Sequence, residues 1–138
     1  MSRASGLGRF LAGFAFALDG VINSLITERN LRFHFAAAGA ALLISLWLRL
    51  DAFRLLWVLG ACASVIAAEL FNTALERVVD LASPGRHPLA KGAKDAAAAA
   101  VLAISVLALA VGAIVLGKPL MDIAFGAGAR PDPDGAAA

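Results

Sequence analysis

Four polar residues recur along one face of a helical stretch near the middle of the chain: Glu69, Asn72, Glu76 and Asp80. At 100° per residue they fall at about 0°, −60°, −20° and +20° around the axis, a single stripe ~16 Å long. Further polar groups belong with them: Glu28 and Asn30 upstream, Arg9 near the amino end, and the pair Lys94-Asp95 downstream. Magnesium is typically held by one or two carboxylates together with substrate phosphate oxygens. A lysine at a helix amino terminus, where free N–H groups point outward, suits a polyphosphate. The set therefore offers metal ligands in Glu28 and Glu76, a phosphate anchor in Lys94, and one deeper carboxylate, Glu69. Neither GxxxxGK[ST] nor GxGxxG occurs, so the common nucleotide-binding loops are excluded.

The elements that must position these groups are greasy. Of 138 residues 61% are apolar and 16% charged, too apolar a mix for a soluble domain of this length. Phe33 to Leu48, Leu55 to Leu75 (interrupted only by Glu69) and Ala96 to Gly117 are long enough to cross the hydrocarbon core as helices. The expectation is an all-α integral membrane protein with three transmembrane helices, at about 31–50, 52–81 and 93–116. Ahead of them, Leu7, Phe10, Leu11, Phe14, Leu18, Val21, Ile22 and Leu25 share one side of a helix, with Arg9, Gly13, Gly20, Asn23 and Thr27 opposite. This predicts an amphipathic surface helix over about 5–27, apolar side down, rather than a cleaved signal. Ser83-Pro84-Gly85 ends the second span, the loop runs to Gly92, and Gly117-Lys118-Pro119 closes the third. Residues 1–118 read as one domain and 119–138 as a disordered tail.

Charge places the cluster in the membrane. Arg3, Arg9, Arg29, Arg32, Arg77, Arg86, Lys91 and Lys94 fall on one side, Arg49, Arg54, Lys118 and Arg130 on the other. The positive-inside rule makes the first side cytoplasmic, with the amino terminus inside and the carboxyl terminus outside. No basic cluster points to nucleic acid, and Cys62 reads as a packing residue. An acidic group within a span costs on the order of 2.5–3.5 kcal/mol even on the gentler insertion scales. Glu69 is thus the residue least suited to a merely structural role, and its depth suits a lipid head group, with nucleotide and metal at the watery end. Two bland readings stand beside this: Asp80 and Glu76 as solvated helix-end charges paired with Arg77 or Arg29, and Glu69 as a hydrogen-bonding glue between helices. A small oligomeric transporter or proton pathway through Glu69 is the rival from another class. It leaves unexplained why the other acidic groups gather at one face.

Three segments carry a resemblance: Glu28-Arg-Asn-Leu-Arg-Phe-His34; Glu69-Leu-Phe-Asn72-Thr-Ala-Leu-Glu76-Arg-Val-Val-Asp80; and His87-Pro-Leu-Ala-Lys-Gly-Ala-Lys94-Asp95. Over about residues 5–117 the chain resembles the prokaryotic diacylglycerol kinase family, and within it the undecaprenol kinase branch typical of Gram-positive bacteria. The resemblance implies an ATP- and magnesium-dependent lipid kinase of the bacterial cytoplasmic membrane. It would be a homotrimer with active sites between protomers, phosphorylating undecaprenol or, alternatively, diacylglycerol. It implies that Glu69 is the base acting on the lipid hydroxyl, that Glu28 and Glu76 hold magnesium, and that Arg9, Glu28, Glu76, Arg86, His87, Lys94 and Asp95 meet ATP. Asn72 and Asp80 would complete the polar network. Phe16 stands at an ATP-facing position where the enteric form has tyrosine, so a contact through that hydroxyl is missing.

Overall fold

A computed structural model describes residues 6–126, and every described element is a helix: α1 Gly6–Thr27, α2 Arg29–Trp47, α3 Ala52–Ala82 and α4 Pro88–Ala124. Arg3, Arg130 and most of the expected tail lie outside the described residues. α1 and α2 are separated by one residue, Glu28, whose extended backbone (φ −101°, ψ 115°) breaks an otherwise continuous helix. The Arg32 guanidinium bridges the break, donating to the carbonyls of Ile26 at 2.9 Å and Leu25 at 3.3 Å. A cation there satisfies carbonyls that the end of α1 leaves without helical partners.

α2 stops at Trp47, short of the expected position 50. Leu50 N–H donates to Ser45 C=O and Arg49 N–H to Leu46 C=O, a Schellman closure that puts Arg49 at φ 51°. Arginine in this left-handed position gives no sequence signal, since glycine is the residue expected there. Asp51 then caps α3, accepting from Arg54 N–H at 3.0 Å.

α4 is longer than its apolar run at both ends. It starts at Pro88, where proline suits the first helical position, and His87 Nδ1 accepts from Leu89 N–H at 3.2 Å. It continues through Pro119 to Ala124, where a stop and a polar tail were expected. Proline gives up one hydrogen bond, and the apolar Leu120, Met121 and Ile123 carry the helix one further turn. The extents, ~46 Å for α3 and ~55 Å for α4, exceed the ~30 Å hydrocarbon core.

α3 and α4 pack along each other most extensively, α2 packs on α3, and α1 touches the others only lightly. The seam is narrow. Leu31, Ala38 and Ser45 of α2 are buried at seven-residue spacing, and Ser24 of α1 lies one such step earlier. The buried residues of α3 are Val58, Val65, Glu69 and Thr73, which share one face, and α4 buries Val101. Most large apolar side chains instead face outward, among them Phe71, Leu81 and Ile114 at 79–86% exposure. Apolar surface on that scale needs lipid or another subunit to cover it.

Among the described residues three helices are long and apolar enough to cross a membrane, the number expected, but they are α1, α3 and α4. α2 falls short because Arg29, Asn30, Arg32 and His34 crowd its first turns. Leu31 is fully buried in the α2–α3 seam. Leu31→Ala should therefore lower stability in detergent by about 2–4 kcal/mol through the cavity it leaves. An unchanged denaturation midpoint would mean that this seam does not hold the protomer together.

Candidate active site

The antiparallel α2, α3 and α4 bring the start of α2, the end of α3 and the start of α4 to one end of the molecule. Here the polar stripe emerges. Glu69 is 3% exposed, Asn72 and Glu76 are half-buried, and Asp80 is exposed, a gradient from packed seam to open end. The Glu69 carboxylate accepts no hydrogen bond and joins no ion pair among the described residues. Thr73, one turn further on the same face and 4% exposed, was not part of the expected stripe, though its i+4 spacing from Glu69 is the signal for it.

Asn72 Nδ2 donates to Glu76 Oε1 at 3.0 Å, which fixes the amide, and its Oδ1 is left buried without a partner. An orphaned acceptor beside a carboxylate is an unusual expense in a packed protein. Glu28 is held from the other side: Arg77 Nη2 lies 3.5 Å from Glu28 Oε1 and donates to Thr27 Oγ1 at 2.8 Å. Arg77 thus pairs with Glu28 rather than with Glu76 or Asp80, and it brings Glu28 to the level of Glu76, its neighbour in sequence. Asp80 pairs with Lys94 across α3 and α4, and Lys91 with Asp95 along α4. All four of those side chains are at least a third exposed, so solvent screens both pairs.

Beside the Asp80–Lys94 pair an open pocket of about 620 Å³ is lined by Asp80, Ser83, Arg86, His87, Lys91 and Lys94. It sits over the first turn of α4, where unpaired N–H groups favour an anion. Lys91, expected from the sequence only as one of the basic residues that orient the chain, lies on its wall. Arg9 and Phe16 are not brought here. Along α1 they stand ~27 Å and ~17 Å from Thr27, and both are exposed.

No group of three or more His, Cys, Asp or Glu among the described residues is arranged to hold a metal. Magnesium takes only one or two protein carboxylates and leaves the rest to water and phosphate, so Glu76, with the orphaned Oδ1 of its partner Asn72, and Glu28 have the chemistry to hold it.

A helical membrane protein with a run of carboxylates emerging at one end, beside a basic pocket, is the class these features define. The chain belongs to the prokaryotic diacylglycerol kinase family, whose family model matches residues 15–116. It is 38% identical to the undecaprenol kinase of Bacillus subtilis over 79% of this chain and 89% of that protein. It is 39% identical to a diacylglycerol kinase of Synechocystis over 82% of this chain but 65% of that longer protein. The diacylglycerol kinase of Escherichia coli K12 is 29% identical over 83% of this chain and 94% of its own length. The family is one of membrane lipid kinases, and this chain is a member on most of its length.

Arg77 ties α3 to the junction of α1 and α2. Arg77→Gln should speed amide exchange at residues 25–30 several-fold in hydrogen-exchange mass spectrometry, while costing under about 1 kcal/mol because the pair is half-exposed. Unchanged exchange there would show that the junction is held by other contacts.

Proposed function

We propose that the protein transfers the γ-phosphoryl group of ATP to the hydroxyl of a membrane lipid alcohol, undecaprenol, with Glu69 as the base. The observation that carries this reading is Glu69, a side chain of α3 only 3% exposed whose carboxylate has no hydrogen-bond or ion-pair partner among the described residues. A buried, unpaired acid is costly and contributes nothing to holding these helices together. The glue role would need a hydrogen-bond partner, and none is present among the described residues. Glu69 would take the proton from the lipid hydroxyl as its oxygen attacks the γ-phosphorus. The bond from that phosphorus to the bridging oxygen breaks, and ADP leaves. Phosphoryl transfer asks the protein chiefly for position and charge neutralisation.

Glu28 and Glu76, with the Asn72 Oδ1 beside them, would hold magnesium, which when bound neutralises the phosphate oxygens. Lys94, Asp95, Arg86 and His87 would bind the nucleotide around the basic pocket over α4, and Asp80 would orient Lys94. Arg9 and Phe16 lie too far along α1 to serve the same protomer's site, which supports a homotrimer with sites shared between neighbours. α2 lies along α3 from Leu31 to Ser45 and must take the same path through the membrane. That supports α2 as the third span and α1 as the amphipathic helix on the surface, with its charged and small residues opposite its apolar side. The basic residues at the cluster end support a topology with that end in the cytoplasm of a bacterial inner membrane and the carboxyl terminus outside.

Diacylglycerol is the second reading of the substrate, favoured by the 39% identity to the Synechocystis diacylglycerol kinase. Both alcohols present a primary hydroxyl at the membrane interface. Purified protein given ATP and magnesium should phosphorylate undecaprenol faster than diacylglycerol, and the reverse order would reassign the substrate. Glu69→Gln should keep ATP binding and lose at least about a hundredfold in turnover, the scale of general-base catalysis. Normal turnover would remove Glu69 from the chemistry. Glu76→Gln should raise the magnesium concentration needed for half-maximal rate, whereas an unmoved titration would leave Glu76 a structural partner of Asn72.

A further inference from the structure

The end of the α3–α4 pair away from the carboxylate cluster carries a groove for which phosphoryl transfer has no use. Its mouth, about 680 Å³, lies between the first turns of α3 and the last turns of α4, walled by Phe53, Arg54, Trp57, Val111, Lys118 and Asp122. A second hollow of about 240 Å³ shares Trp57 and Val111 with the first and runs on past Gly60 and Ala61 to Ser64 and Ile104. From Phe53 to Ser64 the two together extend ~16 Å down α3. The groove is charged at its mouth and apolar along its length. Arg54 is engaged by Asp51 at 3.3 Å, and Lys118 has no ion-pair partner among the described residues. With Arg54 answered by Asp51, Lys118 is the mouth cation left without an ion pair, Asp122 standing one turn further along α4. Both tryptophans of the chain, Trp47 and Trp57, stand at this end and are more than half exposed, as aromatic residues are where a bilayer meets water. The runway is deep because Gly60 has no side chain, and a Cβ built there would meet nothing within 4 Å.

We infer that this groove seats one glycerophospholipid per protomer, its phosphodiester at Lys118 and one acyl chain along Gly60 and Ala61 toward Ser64. The charge distribution selects this occupant. A second copy of the chain would present mostly apolar helix faces, which leave Lys118 unanswered, whereas a lipid phosphate meets it at interface depth and its chain covers the apolar floor. The inference stands apart from the catalytic reading, because its readout is bound lipid and not turnover.

Native mass spectrometry of the full chain in a maltoside detergent tests it. The protein would be titrated with dioleoylphosphatidylglycerol and, separately, with a dioleoyl glucosylglycerol that has the same chains and no phosphate. One phosphatidylglycerol per protomer should be retained in preference to the glycolipid. Lys118→Gln should weaken retention by about tenfold, the loss of one charge-assisted hydrogen bond. Gly60→Leu, which fills the runway with a better helix former, should weaken it at least as much. Equal retention by wild type and both variants, or equal retention of the glycolipid, would overturn the assignment. So would a change in subunit number with Gly60→Leu at unchanged lipid binding, which would make the groove a contact between copies.

Discussion

Hydrocarbon cannot solvate an ion, and at a cost of several kcal/mol per unpaired charge this one constraint distributes the chemistry of the chain. The described ionisable groups lie on α1 or collect near the ends of α2, α3 and α4, with Glu69 the exception, held in the seam itself. The helices are then free to be packed by small residues, with few polar groups along most of their length, Ser105 Oγ being one left buried without a partner among the described residues. Ser45 and Ser64 show the same economy: each hydroxyl returns its proton to the carbonyl one turn earlier, to Ala41 at 2.7 Å and Gly60 at 2.8 Å.

The stripe from Glu69 to Asp80 was legible in the sequence because helical periodicity alone puts those residues on one face, whatever surrounds them. Its burial gradient follows from the same periodicity and the depth of each residue along α3. The pairings were not legible. That Arg77 turns to Glu28 while Lys94 takes Asp80 depends on how far α3 slides against α2 and α4, and no local pattern encodes that register. The boundaries of α4 escaped for a different reason. Proline and glycine read as stops when judged locally, yet Pro88 opens a helix at its first position and Pro119 is carried through by apolar neighbours. The choice between α1 and α2 as a spanning element rests on tertiary contact, since α1 is the more apolar by composition and α2 the one laid along α3.

The two ends of the α3–α4 pair divide the work of living in a bilayer. At one, acids and bases compensate each other in exposed pairs around a pocket whose remaining charge is basic. At the other, a few charges of both signs and both tryptophans rim an apolar trough. An arrangement of this kind fixes the depth of the bundle from both faces, and the depth of the bundle is what fixes the depth of Glu69.

Five residues, Ser83 to His87, join α3 to α4, four join α2 to α3, and one joins α1 to α2. Many kinases shield the reacting phosphate by folding a flexible flap over it. Nothing among the described residues is long enough to act as a flap, so water can be kept from the transfer only by rigid pieces: whole helices shifting as rods, a neighbouring subunit, or the lipid itself sealing the site as it delivers its hydroxyl.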